Sequence, residues 1–166
     1  YHHNKTIREE IYHRLDNTHP LNISIDAAVD LLDAGFRKAV KRCFDKDLEY
    51  GYTQHLADLS GGLDSRMTSW VARDMGYGNI TNMCYAKYHS DEVVSAHQVS
   101  VVLENEFIFK PLDDLTFFYD IDEMIQKNYG MTEYAASTGA NSILSDICFD
   151  KFGLEHTGQL GDVVIG

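Results

Sequence analysis

The sequence predicts an α/β fold, an open and mainly parallel sheet with helices on both faces. Three observations predict it. Short strand-like runs alternate with amphipathic stretches, which implies parallel strands joined by right-handed crossovers. Two glycine-rich turns, Ser60-Gly61-Gly62-Leu63-Asp64-Ser65 and Thr157-Gly158-Gln159-Leu160-Gly161-Asp162, each follow a strand-like run. Only Pro20 and Pro111 interrupt the pattern, and no low-complexity linker or internal repeat is present.

The elements follow in chain order. Residues 1–22 are polar, with a helical hint at Ile7, Ile11 and Leu15, and read as a lead-in segment before a domain at 23–166. Val29, Leu32, Phe36, Ala39, Val40 and Cys43 recur at helical spacing, so a helix is expected from Ser24 or Asp26 to Phe44. Residues 54–59 predict a strand. A helix is expected from Asp64 or Ser65 to Met75, with Met67, Trp70 and Val71 inward and Gly76 as its stop. Residues 79–86 predict a second strand. Ser90 is placed to cap a helix reaching about Leu103. Residues 106–112 predict a third strand. A helix is expected at 120–129, a longer one within 132–152 closed by Gly153, and a last short strand at 154–157.

Composition bounds the function. The 166 residues suit one domain. Hydrophobic residues at 44%, with ten Tyr and eight Phe among them, are sufficient for a packed core. The net charge of −12 argues against a nucleic-acid surface. Cys43, Cys84 and Cys148 form no CxxC pair, so neither a disulfide framework nor a cysteine zinc site is expected, and a reducing cytoplasm fits. No apolar run is long enough to span a membrane. The chain opens on YHHNK without an initiator Met, and both ends read as internal cuts in a longer protein.

The turn at 60–65 carries the chemistry. A glycine turn entering a helix exposes unpaired N–H groups at the positive end of the helix dipole. Such a turn is an anion site, to which Ser60 and Ser65 add hydroxyls. Asp64 would repel a phosphate unless a cation lay between them, which points to Mg²⁺. A plain strand–turn–helix connection with Asp64 or Ser65 as cap is the competing reading. The turn is neither a Walker A loop nor a GxGxxG fingerprint. His89 and His97 read as a loop histidine and a helix-face histidine, and His55 as a strand residue.

SGGLDS after a strand resembles the PP-loop of the ATP pyrophosphatase superfamily. That superfamily includes asparagine synthetase, β-lactam synthetase, GMP and NAD synthetases, and several tRNA-modifying enzymes. Asp91, Glu92 and Ala96 resemble the helix opening of the asparagine synthetase branch. TGQLGDVVIG resembles its second phosphate loop, with Thr157, Gly158, Asp162 and Gly166 at matching positions.

The resemblance implies the adenine nucleotide alpha hydrolase-like fold and an ATP-dependent, amide-forming ligase. Such an enzyme adenylates a small-molecule or peptide carboxylate, releases pyrophosphate and passes the acyl group to an amine donor. It implies ATP and Mg²⁺ as cofactors. Ser60, Gly61, Gly62, Asp64, Ser65 and Gly158 would meet the phosphates, and Asp64 and Asp162 would hold the metal. Met83, Cys84 and Tyr85 fall where the superfamily places adenine. A separate glutaminase domain or subunit would supply ammonia, and the C-terminal part of the synthetase domain would lie beyond Gly166.

Gln159 and Val163 depart from the pattern by replacing family glutamates, and Leu160 replaces a glycine. Arg66 replaces a serine, and its charge suits a phosphate, the substrate or solvent. The departures leave two alternatives beside the ligase: a catalytically degenerate nucleotide-binding module, or a PP-loop enzyme that modifies RNA.

Overall fold

The computed structural model describes residues 2–3, 6–7, 9–14, 16, 18, 20–113, 119, 121–128 and 147–159. The chain divides into two compact units, Tyr1–Asp33 and Ala34–Gly166. In the first, β1 (His2–His3) pairs antiparallel with β2 (Thr6–Ile7), so the expected helical turn around Ile7 does not form there. Ile11 and Tyr12 are exposed. Ser24 Oγ accepts from the Ala27 N–H at 3.2 Å and starts helix α1 (Ile25–Glu49).

The second unit holds a four-stranded sheet in the order β5-β4-β3-β6, parallel throughout. Its strands are β3 (Gln54–Asp58), β4 (Ile80–Ala86), β5 (Glu106–Pro111) and β6 (Phe152–His156). Helices α2 (Leu63–Asp74) and α3 (Asp91–Val102) connect the first three strands. The connection from β5 to β6 carries α4 (Ile121–Asn128) and a 3-10 turn at Phe149–Lys151. β6 lies on the side of β3 away from β4. The strand order reverses at β3, and open α/β sheets bind ligands at the carboxyl ends beside such a reversal.

One face is packed by α1, α2 and α3. Val40, Phe44, Val71 and Ala72 meet Ala57 and Ile80, while Ala96 meets Leu59, Cys84 and Ala86. On the other face Leu56, Met83 and Phe152 pack with Ile147 and Phe149. Asn82 is buried on the helix-packed face with both amide ends used. Its Nδ2 donates to Ser69 Oγ at 2.6 Å and to the Ala57 carbonyl at 3.3 Å. Its Oδ1 accepts from Ser100 Oγ and Asn105 Nδ2.

Several sequence expectations shift. α1 runs past Phe44 to Glu49, and its buried positions are Val40, Phe44 and Asp47. Val29, Leu32 and Cys43 are exposed. α2 turns its small residues inward: Ser65, Ser69 and Ala72 are buried with Val71, whereas Met67 and Trp70 are more than 40% exposed. Small side chains let the helix lie close to the sheet, and the large ones are left to the outside. Gly76, at φ 91°, ends this helix as expected. Gly153 closes no helix; it lies inside β6. Most of the helix expected within 132–152 falls outside the described residues.

Candidate functional site

β3 ends at Asp58 and the chain turns through Ser60, Gly61 and Gly62 into α2. The turn is held by its own serines. The Ser60 N–H donates to Ser65 Oγ at 3.0 Å, the two hydroxyls lie 2.9 Å apart, and the Gly62 N–H donates to Ser60 Oγ at 3.1 Å. Gly62 is the N-cap residue of α2, and no side chain caps the helix there. The first-turn N–H groups therefore face the cavity without a side-chain cap.

The second glycine turn is pressed onto the first. A Cβ on Gly158 would sit 2.4 Å from the Ser65 nitrogen and 2.7 Å from the Asp64 carbonyl carbon. Only glycine lets the end of β6 approach the first turn of α2 so closely. On the other side, a Cβ on Gly61 would meet the Glu92 Cα at 3.1 Å, which brings the start of α3 against the same turn. Ser90 caps α3 by accepting from the Val93 N–H at 3.4 Å.

Together these turns enclose a cavity of about 350 Å³ at the carboxyl ends of the strands. Ser60, Gly62, Asp64, Ser65, Gly158 and Gln159 line it, as do Cys84 and Tyr85 from β4. The structure thus brings the expected phosphate-loop residues to one place, with Gly61 in the same turn. Asp162, Val163 and Gly166 lie outside the described residues. Arg66 turns away from the cavity. It donates to the Gly61 carbonyl at 3.0 Å and lines an outer groove with Trp70 between α2 and α3.

Sequence reasoning missed Asp58 and Glu155. Asp58 lines the cavity, and its buried Oδ1 has no hydrogen-bond partner. Its carboxyl lies against that of Glu155 of β6. Burial, then the Glu155 charge, push the Asp58 carboxyl up to about 8. Burial, then Glu92 and Asp58, push the Cys84 thiol up to about 12, so it stays protonated and unreactive. The signal was an acid inside the strand that precedes the glycine turn.

Asp64 and Glu92 add further carboxylates to the cavity wall. A polyphosphate fits the uncapped N–H groups and serine hydroxyls of this site. It fits the acidic wall only with a cation between, so the donor set suits a nucleotide bound with Mg²⁺.

No protein-family model matches the chain. It is 24% identical over 106 residues to a probable exopolygalacturonase B of Emericella nidulans, a match covering 61% of this chain and 22% of that protein. Among solved structures, it is similar to an NH3-dependent NAD synthetase of Campylobacter jejuni in complex with the nitrate ion. The TM-score is 0.50 at 15% identity, covering 76% of this chain and 54% of that one. The chain spans about half of the synthetase and about a fifth of the exopolygalacturonase. The fold is the open parallel α/β sheet that the synthetase also carries. At these identities neither likeness assigns an activity. No helix among the described residues is long and apolar enough to cross a membrane.

Proposed function

We propose that this chain is the nucleotide-binding part of an ATP-dependent, amide-forming ligase of asparagine synthetase type. One observation carries the reading: the two glycine turns, far apart in sequence, close on each other around a cavity at the α2 N-terminus. The likeness to an NAD synthetase supports the coarser part, since the SGGLDS resemblance also points to the superfamily that includes such enzymes.

In this reading the first-turn N–H groups of α2 and the Ser60 and Ser65 hydroxyls bind the phosphates of ATP. Asp64 and Asp162 would hold Mg²⁺, which would supply positive charge beside the phosphates. Cys84 and Tyr85 form the wall against the base. The carboxylate, from a small molecule or peptide, attacks the α-phosphate once the turn has oriented ATP. An amine donor, with ammonia from a separate glutaminase domain or subunit, then attacks the acyl carbon of the adenylate, and AMP leaves. Residues 23–166 form part of this synthetase domain, which acts in the cytoplasm and on no nucleic acid.

One residue favours a second reading. Gln159 lines the cavity where the resembling loop has a glutamate, and an amide cannot serve as a base. A nucleotide-binding module without turnover would carry this change. The deciding experiment gives the full-length protein Mg²⁺, ATP, a pool of amino acids and ammonia, and measures pyrophosphate and AMP. Pyrophosphate that disappears in Asp64→Ala supports the ligase. Tight ATP binding without pyrophosphate supports the module.

A further inference from the structure

On the helix-packed face of the sheet, three buried side chains from three elements meet. Asp47 lies near the end of α1, His55 in β3 and His156 at the end of β6. They are 0%, 2% and 5% exposed. Asp47 Oδ2 lies 2.5 Å from His55 Nδ1 and 2.7 Å from His156 Nε2, and all three ligand atoms fall within 4.8 Å of one another. We propose that Asp47, His55 and His156 form a binding site for one divalent transition-metal ion of the zinc type, separate from the nucleotide cavity.

The second layer around these residues has the order a metal site requires. The Leu154 N–H donates to Asp47 Oδ1 at 2.8 Å, which leaves Oδ2 turned toward both imidazoles. A Cβ on Gly153 would lie 2.6 Å from Asp47 Oδ1, so the glycine in mid-strand lets β6 close on the carboxylate. Phe44 stacks on His156 with ring centroids 3.9 Å apart and lies 4.9 Å from His55, which shields the cluster from water.

Charge favours an ion. A buried carboxylate needs a compensating charge or several donors. Asp47 meets the Leu154 N–H and two imidazoles but, among the described residues, no lysine or arginine, so a bound cation would supply the opposite charge that these donors do not. Two imidazoles and one carboxylate suit zinc or cobalt rather than magnesium or calcium. Bonds of about 2.0 Å at tetrahedral angles place ligand atoms about 3.3 Å apart, so ligation would widen the two carboxylate–imidazole contacts by less than about 1 Å and draw the two imidazole nitrogens, now within 4.8 Å, closer together. His156 directly precedes Thr157 and Gly158, so the ion would anchor the root of the second glycine turn.

The test uses the full chain, stripped with chelator and titrated with Co²⁺ in excess Mg²⁺, followed by visible ligand-field absorption. The expected result is a spectrum saturating at one equivalent. It persists when the N-terminal histidines are replaced by His2→Asn and His3→Asn. It is lost in His156→Gln that retains the wild-type far-ultraviolet dichroism, with His55→Gln as the second variant should the first not fold. A folded wild-type chain with no such spectrum overturns the proposal, as does a spectrum abolished by the His2 and His3 substitutions. Either result leaves two imidazole N–H groups donating to Asp47 as the whole content of the cluster.

Discussion

β3 and β6 each contribute one acid to one face of the sheet and one histidine to the other. On one face Asp58 and Glu155 come together, and Asp58 is left with a buried, unpartnered oxygen and a raised carboxyl. On the other, Asp47 is more deeply buried, yet both of its oxygens have partners from His55, His156 and the Leu154 N–H. Depth of burial does not separate the two. Donors do: Asp47 faces N–H groups, whereas Asp58 faces another carboxylate. The first arrangement makes a structural joint, and the second leaves chemistry open beside the cavity.

Removing the joint should break the comparison most. Asp47→Ala strands two imidazole nitrogens and the Leu154 N–H in the core. A loss of about 3–5 kcal/mol is expected, read as a lowered urea midpoint. A loss below about 1 kcal/mol would mean that the network adds little to the fold.

Gly158 tests how the two regions connect, because it follows His156 and lies on α2. Gly158→Ala forces a Cβ onto the Ser65 nitrogen. Strain of about 1–3 kcal/mol is expected. ATP affinity should fall at least about tenfold by calorimetry, or about 1.4 kcal/mol. Unchanged affinity would show that the close contact does not shape the cavity proposed for the nucleotide.

The carboxylate pair predicts a pH dependence of definite sign. Asp58 titrates near 8 in the folded chain against an ordinary value of 3.8, so between these values the folded state holds more protons than the unfolded one. Stability from this group therefore falls as pH rises from about 4 to about 8 and is flat above that. Asp58→Asn should be more stable than wild type at pH 8.5, with the gap closing toward pH 4. Parallel urea midpoints across that range would refute the raised carboxyl.

The smallest effect is expected at the surface. Arg73 reaches Glu104 at 3.4 Å with both side chains at least one-third exposed. Arg73→Ala should change stability by less than about 0.5 kcal/mol in thermal melts, because solvent screens such a pair. A larger loss would give exposed charge a weight that the buried clusters alone are expected to carry.

Local patterns made the fold class and the first glycine turn legible. The strand runs of β3, β4 and β5, the Ser90 cap and the Gly76 stop are written into neighbouring residues, and each stands within a residue or two of its expected place, whereas α1 runs past Phe44 to Glu49. The pairs between elements were not legible. His55 read as an ordinary strand residue, and Asp47 lay beyond the expected end of its helix. Asp58 and Glu155 gave no sign that they would meet.

The sequence by itself determined the alternation of strand and helix, the acidic charge and the two glycine turns, because each depends on residues within a few positions of one another. Only the tertiary structure decided which face each strand residue presents, and that β6 lies beside β3 rather than β5. That one neighbour relation sets Glu155 against Asp58, His156 against Asp47, and Gly158 against the start of α2. It is a pairing of strands far apart in the chain, which no local spacing encodes.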